Sequence, residues 1–252
     1  MNRDFQKYHK ALTVALDRIM QTQEEAVDRA ADFMAASIRR DELIHVFGTG
    51  GHSSMGAEEM FWRAGCLAPV NPILEPALLP GMGARHSNWI ERTEGIAPSI
   101  LNAYGVKKGE TIILVNAYGI NAVTIDAALE CKRRGTASIG VTSTSFASFV
   151  PKGHPSRHSS GKSLHELVDV FIDNQMPLGD ACVEVEGCPQ KLAPTSTILN
   201  SFCLHLLVIR TVEKLVEAGI EPPIWTSLNL PGGDEKNRKW HEKYDSRVKH
   251  LR

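Results

Sequence analysis

The stretch LIHVFGTGGHSS, residues 43–54, decides the reading of the fold. Leu43–Phe47 is a short apolar run closed by Gly48, and Ser53–Ala64 then carries helical periodicity, so a strand, a glycine loop and a helix follow one another. Such a unit belongs to a parallel sheet, whose strands are covered on both faces. The succession recurs at Thr111–Val115, the turn Asn116–Asn121 and the helix Ala122–Arg134, stopped by Gly135 in the position that favours a left-handed residue. Ser138–Thr142 reads as a third strand, Val168–Asp173 as a fourth and Ala181–Val185 as a fifth. The prolines of Pro69–Leu79 leave room for at most a short strand followed by loop.

Outward from these units, apolar residues recur at helical spacing from Phe5 to Ile38, with a break near Gln21–Gln23. Asn88–Ala103 reads as helix, as does Thr195–Ala218 before Gly219 and Pro222-Pro223. A charged and helical end, Asp234–Leu251, closes the chain. The expected organisation is a helical arm over 1–40, an α/β domain over 41–219 and a tail over 220–252. Four or five strands alternating with helices make the domain an expected doubly wound α/β sheet. In such sheets ligands sit beyond the carboxyl ends of the strands, where Gly48–Ser54, Asn116–Asn121 and Thr142–Ser145 should converge. Gly50, Thr142 and Ser143 are binding candidates on that ground. The Ser, His, Gly and Pro-rich stretch Thr144–Ser163 is too long for a plain connector and is expected to serve the site.

Composition narrows the class. The 252 residues are 42% hydrophobic and 23% charged, as in a globular chain, with a formal charge of −1 that offers nucleic acid no basic field. Five cysteines without a C-x-x-C pair argue for reduced thiols over a disulfide framework or a zinc ribbon. The N-terminus lacks the pattern of a secretory signal and no apolar run approaches a membrane span, so a cytoplasmic protein is expected.

Gly48–Ser54 opens a helix, where free amides favour an anion. It is not a dinucleotide fingerprint, because Ser53 stands where the third glycine belongs. Ser53 and Ser54 either donate to a ligand oxygen or cap the helix. Gly161-Lys162-Ser163 imitates the end of a phosphate-binding P-loop, but Ser156 replaces the required first glycine. His154, His158 and His165 have metal-like spacing on a loop that does not align them, and no metal is expected. Glu91 and Glu94 read as sharing one solvated helix face, and His205 as a core histidine.

The chain as a whole resembles the SIS (sugar isomerase) domain family. The resemblance runs from about Asp41 to Ala218 and rests on LIHVFGTGGHSSMGAEE, ETIILVNAYGINAVTIDAALECKRRG, ASIGVTSTS, LVDVFIDN and LAPTSTILNSFCLHLL in that order. Glu94-Gly95 is similar to an element that N-acetylmuramic acid 6-phosphate etherases carry before the second strand, and phosphoheptose isomerases share the single-domain layout. The resemblance implies a doubly wound, five-stranded parallel sheet, a phosphosugar as small-molecule partner, a homodimer or higher oligomer, and no cofactor. Ser53 and Ser54 would match the first hydroxyl loop, Asn116, Tyr118, Gly119 and Asn121 the second, and Thr195, Ser196 and Thr197 the start of the last helix. The second loop departs from the family's Ser-x-Ser-Gly-x-Thr, having lost all three hydroxyls, which favours a carbohydrate ligand over phosphate as such. An aldose–ketose isomerisation would need a base and a second proton carrier. Glu94 is the first candidate base and Glu59 the second, with His52, His86 and His158 competing for the other role. Elimination on an amino-sugar phosphate and a sensor that only binds are the alternatives.

Overall fold

The computed structural model describes residues 3–251; Met1, Asn2 and Arg252, the outermost residues of the expected arm and tail, lie outside them. Five parallel strands form the centre: β1 (Ile44–Gly48), β2 (Val70–Ile73), β3 (Thr111–Val115), β4 (Ala137–Thr142) and β5 (Val170–Asp173). Their spatial order is β2-β1-β3-β4-β5, with Ile44 in register with Val70 on one side and Thr111 on the other. The apolar runs are continuous because both faces of the sheet are covered. Val46, Ile113, Val115 and Ile139 point to one layer, where α2 (Glu24–Arg39), α3 (Ser54–Met60) and α8 (Ser196–Glu217) supply Met34, Met60 and Leu204. Phe47, Ile112 and Leu114 point to the other, against Leu101 of α5 (Ala97–Ala103) and Ala127 and Cys131 of α6 (Ala122–Arg134). Ahead of α2, α1 (Arg3–Thr22) reaches the strand β7 (Leu192–Pro194), where the Tyr8 hydroxyl donates to the Pro194 carbonyl at 3.0 Å.

Three expectations need correction. The fifth strand of the sheet is Val70–Ile73, not Ala181–Val185. It stands at the edge, where Pro72 can lack a ladder donor. Ala181–Val183 (β6) is a strand, but it pairs antiparallel with β7 in a separate ribbon. Asn88–Ala103 is not one helix. α4 (Ala84–Glu91) ends before Gly95, whose φ of 86° breaks the spiral ahead of α5, so Glu91 and Glu94 share no helix face. The helix after β1 stops at Met60 instead of Ala64, with Trp62 left-handed at φ 53°. The long loop begins with α7 (Thr144–Phe149), and the tail contains α9 (Gly233–Tyr244). Among the described residues no helix is long and apolar enough to cross a membrane.

The chain runs from β1 outward to β2 and then returns across the sheet to β3. That reversal opens a crevice between the carboxyl ends of β1 and β3.

Candidate functional site

The crevice is built from glycines that let chain segments approach more closely than any side chain would allow. A Cβ on Gly48 would collide with the backbone of Ser53 and Ser54, so only glycine lets the first turn fold back over the strand end. Gly50 has φ 140°, and a Cβ there would fall 2.5 Å from Cδ of Glu91. Glu91, the last residue of α4, therefore lays its carboxylate directly on the glycine loop. Asn116, the residue after β3, is buried beside it and donates from Nδ2 to Glu91 Oε1 at 3.5 Å. Its Oδ1 accepts from the amides of Tyr118 at 3.1 Å and Gly119 at 2.8 Å, an Asx turn that fixes the second loop. The amide of Ala117 donates to Ser53 Oγ at 3.4 Å, tying the second loop to the first. Burial pushes the Glu91 carboxyl above the usual carboxylate range, against the Asn116 hydrogen bond and the charge of Arg92, which pull it down.

Gly119, at φ 62°, sits so tightly on Thr142 Oγ1 that a Cβ would overlap it. Thr142 Oγ1 and Asn121 Oδ1 are buried without a hydrogen-bond partner among the described residues. Asn121 Nδ2 donates to the Ser156 carbonyl at 3.3 Å and the His158 amide to the Ile120 carbonyl at 3.0 Å, so the long loop roofs the start of α6. Tyr118 stacks on Phe146 with centroids 4.1 Å apart. Ser143 caps α7, its Oγ accepting from the Phe146 amide and donating to the Met176 carbonyl, both at 3.3 Å. At α8 the carboxylate of Asp180, itself left-handed at φ 67°, occupies the helix start. It accepts from the amides of Thr195 at 2.8 Å and Ser196 at 2.7 Å and from Ser196 Oγ at 2.8 Å.

The family model of the SIS domain matches residues 7–143. Similar proteins include a UPF0309 protein of Caldanaerobacter subterraneus subsp. tengcongensis, 40% identical over 247 residues and covering 97% of this chain and 98% of that one. A UPF0309 protein of Brucella anthropi is 37% identical over 245 residues, covering 97% and 98%. The chain belongs to the SIS-domain family. Among solved structures, a phosphoheptose isomerase from Francisella tularensis superposes with a TM-score of 0.53 at 14% identity, over 84% of this chain and 100% of that one, and shares the fold.

The remaining candidates of this SIS-domain chain fall into separate groups. Glu94 lies on the surface beyond α4, and its two oxygens accept from the amide of Ser159 at 2.7 Å and from Ser159 Oγ at 2.9 Å. Those bonds hold its carboxyl below the usual range, the opposite of what burial does to Glu91. His158 is buried, with Nε2 3.1 Å from Asp126 Oδ1 and 3.6 Å from Glu94 Oε2, and Nδ1 2.8 Å from Ser160 Oγ. Asp126 on α6 also accepts from the Gly95 amide at 2.5 Å. Glu94, His158 and Asp126 thus clasp the long loop to the turn after α4. His52 and His86 are exposed.

Glu59 on α3 pairs with Nε2 of His205 on α8 at 2.8 Å and with Arg63 at 3.0 Å. His205 leaves 38% of its side chain open to solvent, so it is not the core histidine expected from its apolar neighbours. Cys66 lies 4.0 Å from the other ring nitrogen, but burial pushes its thiol up to about 11 and keeps it protonated. At the start of α8 the half-buried Thr197 meets the exposed Met55 of α3, its hydroxyl donating to Sδ at 3.9 Å. Ser54 Oγ donates to the Gly51 carbonyl at 3.0 Å and stays inside its own loop. Sequence reasoning missed Asp180 altogether and placed Glu91 on a solvated face. Neither carries a local signal, since each reaches its position through a contact with a distant segment.

Proposed function

We propose that this protein binds a sugar derivative in the crevice between β1 and β3 and moves a proton on it, with Glu91 as the base. The observation that carries this reading is the Glu91 carboxylate, partly buried on Gly50 and held by Asn116. A carboxyl whose proton affinity is raised by burial is a better match to a carbon acid than an exposed one, because the same group must take the proton and give it back. In an aldose–ketose isomerisation Glu91 would remove the C2 proton, the electron pair would form the C1–C2 double bond of the enediol as the carbonyl oxygen O1 gains a proton, and Glu91 would return its proton to C1 as O2 gives up its hydroxyl proton and becomes the ketone oxygen. His52, exposed on the glycine loop against which the Glu91 carboxylate lies, is the second proton carrier in this reading. The phosphoheptose isomerase that shares the fold supports carbohydrate as the substrate class. The protein is read as a cytoplasmic homo-oligomer that needs neither nucleic acid nor a membrane.

The test is proton NMR in D₂O over aldoses, ketoses and amino sugars, with and without phosphate. Loss of the C2 proton signal together with appearance of the isomeric sugar supports the isomerase. An unsaturated product supports an etherase-type elimination by the same base. Binding without exchange leaves a sensor.

A further inference from the structure

We propose a second binding site, for one neutral sugar ring, in a cavity of about 200 Å³ that the tail closes against the end of α3. α3 starts at the crevice with Ser54 and ends at Met60, so the residues after it lie away from the crevice, toward the amino end of β2. There residues 223–225 of the tail run antiparallel to 65–68. The amide of Gly65 donates to the Trp225 carbonyl at 2.9 Å, that of Trp225 to the Cys66 carbonyl at 3.0 Å and that of Ala68 to the Pro223 carbonyl at 2.7 Å. Asn237 of α9 is buried and clamps the next residue, accepting from the Thr226 amide and donating to the Thr226 carbonyl, both at 2.8 Å. A Cβ on Gly233 would overlap the Ser227 carbonyl, so only glycine lets α9 start this close to the same segment. Backbone contacts thus shape the walls before any ligand arrives, which lowers the ordering cost of binding.

Trp62 is the aromatic wall of this cavity. It is 39% exposed and left-handed at φ 53°, a conformation that glycine adopts freely and that strains a bulky residue. A plain turn after α3 would be better served by glycine, as three residues later at Gly65, so the ring is kept here against a backbone cost. Its edge-on neighbours are the buried Trp225, with centroids 4.7 Å apart, and His241 of α9 at 4.8 Å. These two rings hold the indole in place and leave part of it open. The polar groups around it are uncharged. The carboxamide of Asn229 and the hydroxyl of Thr226 have no hydrogen-bond partner among the described residues, and Ser227 Oγ accepts from the Asn229 amide at 3.3 Å with its own proton unspent. Among the described residues none that lines the cavity is charged, so an ionic ligand would find no counter-charge there. An aromatic surface with neutral donors and acceptors beside it suits a ring with C–H faces and hydroxyl edges. The volume lies below the roughly 300–1,000 Å³ of drug-sized pockets, which admits one such ring and not a chain of them.

The experiment is NMR of the indole N–H signals of the full chain, labelled with nitrogen-15 at its four tryptophans and titrated with glucose, mannose and N-acetylglucosamine. Each signal is assigned by substituting its own tryptophan with Phe. Trp62 and Trp225 report on this cavity, and Trp89 of α4, close to Glu91 on the same helix, reports on the crevice. At least one of the sugars is expected to shift the Trp62 and Trp225 signals saturably at millimolar concentration. In Trp62→Gly, which removes the ring and suits the left-handed backbone, the affinity read from Trp225 should fall about ten-fold or more. In Asn229→Ala, at an exposed position, it should fall by a few-fold, and in Glu91→Gln it should stay at the parent value. The absence of a saturable shift of Trp62 and Trp225 with all three sugars overturns the inference, as does parent affinity in both Trp62→Gly and Asn229→Ala. Shifts confined to Trp89 also overturn it and leave the proposed function standing.

Discussion

Glu91 and Asn116 come from different parts of the fold, one from the end of α4 and the other from the residue after β3, and they meet through one hydrogen bond from Asn116 Nδ2 to Glu91 Oε1 at 3.5 Å. Asn116 also holds the second loop through Tyr118 and Gly119. One side chain therefore joins the carboxylate to the second loop.

Glu91→Gln should lower turnover by about 10²-fold or more, the usual contribution of a positioned acid or base, and leave ligand affinity within a few-fold. Glu94→Gln should leave turnover near that of the parent, since Glu94 spends both oxygens on Ser159. The D₂O exchange rate measures both. The reverse ranking would give the role of base to Glu94.

The pH profile follows from the sign of the Glu91 shift. A base works in its deprotonated form, so kcat/KM should rise with pH along a limb set above the ordinary carboxylate range, because burial raises this carboxyl. The Asn116 hydrogen bond opposes that rise, so Asn116→Ala should move the limb to higher pH. A loss of plateau height with the limb unmoved would show that Asn116 only shapes the loop.

Glu91 should also cost stability at neutral pH. A carboxyl raised in the folded state contributes stability in full below its unfolded value and loses it as the pH climbs through the folded value. Glu91→Gln should therefore be more stable than the parent at neutral pH and unfold at a higher Tm. The advantage should vanish in acid, where both chains are uncharged at this position. Thermal unfolding at the two pH values decides, and a variant less stable at neutral pH would show that the site is not strained by the charge.

The strand and glycine-loop units at Leu43–Ser54 and Thr111–Asn121 were legible because a buried parallel strand leaves a continuous apolar run and its turn leaves glycine. β2 was legible only as a short strand followed by loop, because Pro72 and Asn71 break the apolar run; the buried Asn71 amide is satisfied by His45 Nδ1 at 3.1 Å and by the Tyr104 carbonyl at 3.2 Å, partners only the folded chain supplies. Helical periodicity continued across Gly95 and concealed the end of α4, and with it the separation of Glu91 from Glu94. His205 lies among Phe202, Leu204, Leu206 and Leu207 and reads as core, but it faces Glu59 across the seam between α3 and α8. Local pattern thus placed the loops at the strand ends, and tertiary contact decided which acidic group fills each of them.

A homo-oligomer is expected from the apolar residues that α1 and α8 leave exposed. Phe5, Val14 and Met20 stand out on α1, and Ile198, Ile209 and Val216 on α8. Side chains of that size, spread along two of the longest helices, are more than isolated surface residues of a monomer. Light scattering at micromolar concentration should give at least about twice the mass of one chain. A mass of one chain would rule the oligomer out.

Gly50 allows the sharpest check on where Glu91 lies. Its φ of 140° and ψ of 160° fall in a region that is essentially reserved for glycine, at a cost of about 1–3 kcal/mol for any other residue. Gly50→Ala adds to that cost a Cβ only 2.5 Å from Glu91 Cδ and 2.6 Å from Cγ. Gly105, at φ 69° and with no atom of the described residues within 4 Å of a Cβ placed on it, is the control for a positive-φ glycine without a collision. Gly50→Ala should lose more stability than Gly105→Ala and should lose activity as well, because the carboxylate must move to make room. Removing the obstacle should restore part of the stability: in the cycle of Gly50→Ala, Glu91→Ala and the double variant, the double should be more stable than the sum of the singles by about 0.5–3 kcal/mol, the range for residues in contact. The same cycle built on Gly105→Ala and Glu91→Ala should be additive. Additivity in both cycles would mean that the Glu91 side chain does not rest on the glycine loop, and the base assigned here would have no place in the crevice.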